Sequence, residues 1–331
     1  LQDTPVTVNA FSADTIQEAG INNATDLAVM TPALTINVNT SPFNARMTIR
    51  GVGTAQTDPA LEPSVGLFVD DVFIGRTGLG MSDLTDIERI EVLQGPQGTL
   101  YGKNTNAGAI SVITKTPNLE EFEGHIEASA GNYSMGRLTG SASGPLADTF
   151  AYRLSGSINQ RDGYYDNAAG DDLNDADDWN VQGKLLWEAT NALSILISGS
   201  HVDRDTTCCA ADAVQPDAVN EALIGQGFSP DKNDPYDYEL APDIDSRFEM
   251  ESDLLSMTID YSAPFGEIKS ITAWNDYDYV IDTDADRSQL DVLALVNDEF
   301  AGDSLSQELR LTSSAGQSID YQLGLFYYEQ T

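Results

Sequence analysis

Carboxylates dominate the side chains of this sequence that could do chemistry. Residues 162–178 contain seven aspartates and no lysine or arginine. Carboxylate oxygens are the ligands that Ca²⁺ prefers, so this stretch is a candidate calcium site. Its ligands would be Asp166, Asp171, Asp172, Asp175, Asp177 and Asp178. The spacing does not follow the EF-hand, because the twelfth residue counted from Asp172 is Gly183. A solvated acidic loop is the alternative, and no other feature calls for a cofactor.

Histidine and cysteine are too few for a catalytic centre. The only histidines, His125 and His201, each fall inside a predicted strand, so no Ser-His-Asp triad or zinc site can be assembled. The glycine segments fit neither a P-loop nor a Rossmann unit. Cys208 and Cys209 are adjacent in a long link. Outside the cytosol they should be oxidised, either with each other or with cysteines elsewhere. We therefore predict a protein that is not an enzyme.

Composition excludes nucleic acid as a partner. The chain has 331 residues and a formal net charge of −37, so nucleic acid would be repelled. No apolar run approaches the roughly 18 residues of a membrane helix. Such a count does not detect membrane-spanning strands, because their residues alternate between apolar and polar.

The pattern of the sequence changes near residue 118. Before it, short strands accompany one predicted helix from Ser12 to Met30, with Ser12 or Asp14 as its cap and Pro32 just past its end. After it, long segments alternate with a period of two, as in Leu154 and Ile158 against Arg153 and Ser155. Such segments suit strands between lipid and a wet lumen. A soluble β-sandwich is the alternative fold.

Residues 87–116, IERIEVLQGPQGTLYGKNTNAGAISVITKT, contain the most specific motif. Its glycines permit backbone conformations that other residues resist, which indicates a shaped turn at Gly95, Pro96, Gly98, Tyr101 and Gly102. The motif resembles the end of the plug domain of TonB-dependent outer-membrane receptors. Segments beginning at Pro5, Met47 and Pro63 resemble earlier parts of the same domain, in family order.

This resemblance implies a membrane β-barrel of about 22 strands with an N-terminal α+β plug domain in its lumen. We assign residues 1–118 to the plug and 119–331 to the first part of the barrel. Because an open sheet edge cannot lie in lipid, we expect the natural chain to extend beyond Thr331, and before Leu1 to a TonB box. The alternation predicts nine strands, joined by short turns on one side and mostly long loops on the other. They lie at 122–131, 134–144, 149–161, 179–189, 193–203, 250–262, 265–279, 304–313 and 318–329.

Strand alternation places the links 39–45 and 73–82 at one end of the plug, facing outward. It places 53–62 and 94–102 at the opposite, periplasmic end. The outward links supply the predicted substrate-binding residues, which are Asn39, Thr40, Phe43, Asn44, Phe73, Arg76, Thr77 and Met81. Exposed Phe43 and Phe73 beside polar groups suit a ligand platform. Alternatively, both rings pack against the barrel wall or loops.

The family usually carries an arginine before the Gly-Pro turn, where this chain has Gln94. That arginine helps an ionic cluster to anchor plug to barrel. We predict that Arg50, Arg89 and Glu91 form plug–barrel or intraplug ion pairs, with Gln94 making only neutral hydrogen bonds.

The resemblance implies a receptor in the outer membrane of a Gram-negative bacterium, in contact with outer-membrane lipid and driven by TonB and its inner-membrane complex. Its ligand would be a scarce small-molecule nutrient, with a ferric siderophore or other iron chelate as the first expectation. Oligosaccharide and cobalamin are the alternative ligands, although the acidic loops count slightly against anionic chelates. A non-transporting adhesion or sensing scaffold is the alternative of a different class.

Overall fold

The computed structural model describes residues 7–37, 45–54, 61–80, 84–167, 170–208, 217–228, 234, 237–240, 242–244, 246–284, 288–314 and 319–331. They form two main sheets. The first, from the N-terminal third, has five strands in the order β1-β6-β7-β4-β5. These strands are β1 Thr7–Ser12, β4 Val65–Val69, β5 Val72–Ile74, β6 Ile87–Gln94 and β7 Gly108–Thr114. Within this sheet β4 and β7 are parallel, and the other pairs are antiparallel.

The apolar residues of the central strands build the core of the N-terminal domain. Val65, Leu67, Ile90, Val92 and Ile110 are each fully buried. These strands are rich in β-branched residues, which pack well on a pleated surface. The sheet ends at Thr114, and the second sheet begins at Glu123, so the predicted boundary at 118 falls between them.

Two helices occupy the segment where the sequence predicted one. They are α1 Ala13–Glu18 and α2 Ala24–Met30. Ser12 caps α1 by accepting a hydrogen bond from the Thr15 amide, as predicted. The single helix is wrong because Gly20 adopts φ +64° and ends the first helix. Asn23 then starts the second with a capping box that includes Asp26.

A separate hairpin of β2 Leu34–Asn37 and β3 Arg46–Ile49 forms its own two-stranded sheet. Strand directions therefore cannot be assigned by counting strands along the chain, because β2 and β3 do not belong to the five-stranded sheet.

After β6, the chain turns at Gly95, enters the short helix α3 Gly98–Tyr101 and leaves it at Gly102. Gly95 and Gly102 have φ values of +91° and +78°, so the predicted turn geometry is confirmed there. Gly98 has no such conformation and begins α3.

The second sheet has nine antiparallel strands, each paired with its neighbours along the chain. They are β8 Glu123–Ala130, β9 Gly136–Ala147, β10 Phe150–Arg161, β12 Ala176–Thr190, β13 Leu193–Thr206, β15 Arg247–Ala263, β16 Gly266–Asp284, β17 Ala294–Ser313 and β18 Gln322–Gln330. All nine predicted strands are present. Between them lie a small parallel sheet of β11 Asp166–Asn167 and β14 Glu239–Leu240, and helix α4 Asp217–Gln226.

The two faces of the nine-stranded sheet differ in polarity. One face, which we call the inner face, contacts the N-terminal domain and carries Arg153, Lys184 and Lys269. The opposite, outer face carries apolar side chains in the open, such as Leu154 and Ile158, which are 54% and 52% exposed. Among the described residues, none of the helices is long and apolar enough to cross a membrane.

The two edges of this sheet also differ. Tight turns join β9 to β10, β12 to β13 and β15 to β16 at one edge, which we call the short-turn edge. Long connections join β10 to β12 and β13 to β15 at the other, the long-loop edge. In the N-terminal domain, the β4–β5 turn at Asp70 and Asp71 contacts Lys184 and Lys269 near the short-turn edge. The N-terminal domain therefore has a defined orientation along the strands.

Candidate functional site

A cavity of about 360 Å³ opens between the N-terminal domain and the inner face, toward the long-loop edge. The N-terminal domain contributes Glu62, Phe73, Gly75, Arg76, Lys103 and Asn104, and the nine-stranded sheet contributes Tyr277, Tyr279, Phe300, Ala301, Tyr328, Gln330 and Thr331. Its volume lies in the range of small-molecule sites, which combine apolar surface with a few polar groups. We call this space the outer cavity.

Aromatic rings connect the glycine-rich turn to the outer cavity. Tyr101 packs on Phe68 with ring centroids 4.9 Å apart, and Phe68 packs on Phe73 at 5.7 Å. Phe73 meets Tyr328 of β18 edge-on at 5.4 Å. Burial raises the pKa of Tyr101 above its usual value, with a smaller contribution from the charge of Glu91. The turn residue Tyr101 therefore supports the wall of the cavity through two phenylalanines.

Lys103 brings a positive charge into the cavity. Its Nζ lies 4.5 Å from the ring centroid of Tyr328 and 5.7 Å from that of Phe73. The same Nζ is 2.7 Å from a carboxylate oxygen of Glu62. Both charged side chains are partly exposed, so the ion pair itself adds little stability. The ammonium group of Lys103 is therefore available to a ligand that is negatively charged or rich in oxygen acceptors.

Hydrogen bonds fix the polar side of the cavity. The Tyr328 hydroxyl donates to Oε1 of Gln330 at 3.0 Å, and Nε2 of Gln330 donates to the Tyr277 hydroxyl at 3.2 Å. Gly75 lies so close to this chain of bonds that an added Cβ would be 2.5 Å from Oη of Tyr328. The cavity thus depends on a glycine where the backbone approaches the ring.

Buried ion pairs join the two sheets near the short-turn edge. The Arg153 guanidinium binds both carboxylate oxygens of Asp86, at 2.5 and 2.6 Å, and a carboxylate oxygen of Glu123 at 2.5 Å. The Arg153 and Asp86 side chains are only 5% and 4% exposed. Bidentate pairs of this kind are among the stronger polar contacts in proteins. Arg153 therefore anchors the segment that precedes β6 to the sheet.

The β4–β5 turn is anchored in the same way. Nζ of Lys184 lies 2.8 Å from Oδ2 of Asp70 and donates to the hydroxyl of Thr114, while Asp70 accepts hydrogen bonds from the amide and the hydroxyl of Thr114. The Lys184 side chain is 1% exposed. Lys269 pairs with Asp71 at 3.2 Å in a more solvated position. We call Asp70, Asp71 and Asp86 with their basic partners the inner clamp.

Comparison with known proteins identifies the N-terminal domain. Residues 1–109 match the TonB-dependent Receptor Plug Domain family. This chain carries a TonB-dependent receptor plug domain. The plug therefore faces part of a barrel wall, which is the nine-stranded sheet.

Relatives extend the similarity beyond the plug. The pesticin receptor of Yersinia enterocolitica is 33% identical over 147 residues, which are 44% of this chain and 21% of that protein. The ferripyoverdine receptor of Pseudomonas aeruginosa is 29% identical over 152 residues, 45% of this chain and 17% of that protein. These relatives are receptors of Gram-negative bacteria, and another is described as an outer-membrane protein, in agreement with the predicted localisation.

The solved structure of the ferric yersiniabactin uptake receptor FyuA from Yersinia pestis has the same fold. It superimposes with a TM-score of 0.85 at 23% identity, over 98% of this chain and 48% of that structure. The predicted fold, a plug domain against part of a barrel wall, is confirmed by this match. The chain spans about half the length of that receptor. The total number of barrel strands stays a prediction.

The structure places some of the predicted plug-apex residues at the outer cavity. Phe73 and Arg76 line it. Thr77 is fully buried, and its hydroxyl donates to the Ala45 carbonyl at 2.8 Å, which brings the two outward links together as predicted. Phe73 is only 6% exposed and contacts the wall through Tyr328, so of the two alternatives the packing against the barrel wall is confirmed and the exposed ring is wrong. Asn39, Thr40, Phe43, Asn44 and Met81 lie outside the described residues.

The predicted position of the glycine-rich turn is wrong. β6 pairs with β7 so that Gln94 lies opposite Gly108, at the end of the plug sheet away from Asp70 and Asp71. Lys103, just after the turn, reaches Phe73 and Tyr328. Residues 94–102 therefore lie at the same end as the outward links, and so does Glu62.

The predicted ionic cluster is confirmed in part. Arg89 forms intraplug ion pairs with Glu91 and Glu88, both at 2.9 Å, and the hydrogen bond to Glu91 raises the pKa of Arg89. Arg50 instead donates to Oε1 of Gln94 at 2.9 Å and to the hydroxyl of Thr7. Within the described part of the chain, Arg50 has no carboxylate at ion-pair distance, so its predicted ion pair is wrong. Oε1 of Gln94 thus accepts from a charged guanidinium, and only its bond from Nε2 to Oδ1 of Asn9, at 3.2 Å, joins two neutral groups, so the prediction of neutral hydrogen bonds alone is wrong.

The inner clamp was missed, although a signal for it exists. Arg153, Lys184 and Lys269 stand on the polar face of alternating strands, in a chain with only 16 basic residues. A base on the inner face of a barrel needs a partner in the lumen, and the plug is there. The partners themselves cannot be selected from one sequence that contains 53 acids.

The aspartates of the candidate calcium site are spread along the outer ends of strands. Oδ1 of Asp178 is 2.6 Å from Nε of Arg204, and Asp175 accepts hydrogen bonds from the hydroxyl of Thr206 and the amide of Thr207. Among the described residues, no three acidic, histidine or cysteine side chains converge as metal ligands. The calcium site stays a prediction without support from this geometry.

Cys208 is buried and disulfide-bonded, and Cys209, the only other cysteine in the sequence, lies outside the described residues.

Proposed function

We propose that the whole protein is a TonB-dependent outer-membrane receptor that actively takes up a ferric siderophore or another iron chelate. The observation that carries the proposal is the plug, which packs against the inner face of the barrel wall and is held by buried ion pairs. A solute cannot pass such an interface unless the plug is rearranged. An energy source that acts on the plug, as TonB does in this family, meets that need.

The residues that line the outer cavity suit a small-molecule ligand. Tyr279 and Phe300 stack with ring centroids 4.9 Å apart at its edge, and Lys103 provides a cation. Aromatic surface with one ammonium group suits a metal chelate that has flat rings and oxygen donors. The names of the relatives support iron, since they include receptors for ferripyoverdine and ferric yersiniabactin.

Uptake of a radiolabelled ferric chelate tests the energy coupling. The full-length protein is produced in cells that have or lack TonB, and surface binding and internal label are measured separately. We expect binding in both strains and internal label only with TonB. Uptake that persists without TonB would contradict the proposal.

Regulation distinguishes iron from the other nutrients. Protein levels are compared under iron starvation and during growth on single glycans. We expect induction by iron starvation alone. Induction by one glycan without a response to iron would assign the receptor to oligosaccharide uptake instead.

A further inference from the structure

Arg50 contacts both strands at the start of the first plug strand. Its Nε donates to Oε1 of Gln94 at 2.9 Å, and its Nη2 donates to the hydroxyl of Thr7 at 3.3 Å. Thr7 and Gln94 face each other as the first residue pair of β1 and β6. Nε2 of Gln94 donates in turn to Oδ1 of Asn9, the next residue but one along β1. Arg50 therefore ties the two strands together at the end where β1 begins.

The backbone at Arg50 is also unusual. Arg50 follows β3 and has φ +52°, a left-handed conformation that residues with a long side chain rarely adopt. Its amide donates to the Ala33 carbonyl at 2.8 Å, and the turn continues through Gly51 at φ +77°. A backbone conformation that costs energy is a reason to look for a task of the residue that adopts it.

The start of β1 also supports the outer cavity. Val8 packs against the apolar cluster that contains Phe68 and Phe73, and Tyr101 packs against the same cluster. Within the described part of the plug sheet, β1 pairs only with β6, so it is an edge strand. Short edge strands are among the elements that open most easily. The contacts that hold the start of β1 therefore matter for the wall of the cavity.

Strand direction determines how β1 would leave the sheet. β1 begins opposite Gln94, at the end of the plug that carries the outer cavity, and it ends opposite Arg89, toward the short-turn edge. The proposed function places the energy source beyond the short-turn edge. A pull in that direction on the chain before Thr7 folds this chain back along β1. The hydrogen bonds to β6 then break one at a time, and the pair that Arg50 joins is loaded first.

We propose that Arg50 is a positioning residue that sets the force at which β1 separates from the plug sheet. It has this role in a chain that carries Gln94 where the family usually has an arginine. Hydrogen bonds from a guanidinium are stronger than those between neutral groups, so Arg50 provides the main side-chain resistance at the first pair. The assignment rests on the proposed function, since only a receptor that is pulled meets such a force.

Pulling on single receptors tests this role. The full-length protein is held in a lipid nanodisc, and a handle joined before Leu1 is pulled from the short-turn side at constant force. The six residues of β1 free about 20 Å of chain, and the attachment point moves nearly as far toward the handle. We therefore expect a first step of about 40 Å. A first step that releases the whole plug at once would overturn the proposal.

Arg50→Gln should shorten the waiting time before the first step about three- to tenfold, which is the effect of losing one hydrogen bond of ordinary strength. The waiting times of later steps should not change, whereas a residue that only supports the fold would shorten them as well. Arg89→Gln is the matched control, because Arg89 lies opposite Ser12 at the far end of β1. The partners of Arg89 are Glu88 and Glu91 of its own strand. An equal effect of the two substitutions would refute the role of Arg50.

Gln94→Glu tests the same contact in the opposite direction. A carboxylate at this position gives Arg50 an ion-pair partner, so the waiting time before the first step should lengthen. In the Arg50→Gln background the same substitution should not lengthen it. Lengthening in both backgrounds would assign the resistance to another base. If Arg50→Gln does not fold, Thr7→Val replaces it, since it removes only the hydroxyl that accepts from Nη2.

The pulling experiment contains no nutrient and is therefore independent of uptake. A first step that depends on Arg50, in a receptor that takes up no iron chelate, would refute the proposed function and support the role of Arg50. A first step without that dependence, in a receptor that takes up iron only with TonB, would refute the role of Arg50 and support the proposed function.

Discussion

Single charged residues in the interface determine how the plug is held. Arg153 is buried between Asp86 of the plug and Glu123 of the wall, and its planar fork satisfies both oxygens of Asp86. A buried ion pair is often no more stabilising than a well-packed apolar pair, but loss of one partner leaves an uncompensated buried charge. Removal of Arg153 should therefore lower the stability of the interface by more than the ion pair itself contributes.

Arg153→Met should destabilise the plug–wall interface by about 3–5 kcal/mol, because the Asp86 carboxylate stays buried without a partner. Arg153→Lys should lose less, since it keeps the charge and forfeits only the bidentate geometry. Denaturant unfolding of the full-length protein in detergent, followed by tryptophan fluorescence, measures both. Equal stability of Arg153→Met and the wild type would contradict the prediction.

The glycine-rich turn offers a matched pair of substitutions. Gly102→Ala should cost about 1–3 kcal/mol, because the backbone there, with φ +78° and ψ −141°, lies in a region that residues with a Cβ rarely adopt. Gly98→Ala should be neutral or slightly stabilising, since Gly98 begins α3 and a Cβ there meets nothing within 4 Å. The same unfolding experiment reads out both variants. A similar loss in each would show that space, and not backbone conformation, limits this turn.

Elements were predictable where their pattern was regular. The alternation of β10 and β13 is clear, and both strands begin and end close to the predicted residues. β17 begins at Ala294, although its first ten residues were assigned to a loop. Those ten residues do not alternate between apolar and polar side chains, because a strand that extends beyond the membrane contacts water on both faces. The helix break at Gly20 is a local feature that the prediction of one helix overlooks, because Gly20 and the Asn23–Asp26 capping box are themselves signals of a helix end and a helix start.

The second plug helix depends on its cap. Asn23→Ala should cost about 0.5–2 kcal/mol, because the Asn23 side chain accepts from the amides of Thr25 and Asp26. Thr25→Ala is the control, since alanine is the better helix former and the cap remains. Hydrogen exchange of the α2 amides in the full-length protein measures the local opening. Faster exchange only in Asn23→Ala is the expected result, and unchanged exchange in that variant would refute the role of the cap.

At the scale of the whole molecule, negative charge is concentrated at one end. Three links, 162–178, 204–249 and 280–303, hold 25 of the 53 acidic residues. Those of them that the structure describes belong to the long-loop edge and the adjoining strand ends, which is the end where the outer cavity opens. A ligand that entered the outer cavity from this edge would cross a negative potential before it met Lys103. The sequence predicts this field well, because it needs only the charge and the strand order.

The field should make ligand association depend on salt and on ligand charge. The screening length falls from about 30 Å at 0.01 M to about 10 Å at 0.1 M ionic strength. Over that range, the association rate of an anionic ferric chelate should increase, while that of a neutral chelate should stay constant. Stopped-flow binding to the full-length protein measures both rates. An equal response of the two chelates would show that the loops do not steer the ligand.

The inner clamp also has a consequence for biogenesis. Wall strands pair only with their neighbours along the chain, whereas the clamp joins residues that are 67, 114 and 198 positions apart. Local pairs form early and distant pairs late, because closing a long loop costs entropy before any contact is gained. We therefore expect Asp86, Asp70 and Asp71 to gain their partners in that order, as β10, β12 and β16 form. The plug would then be only partly docked against the wall until β16 is in place.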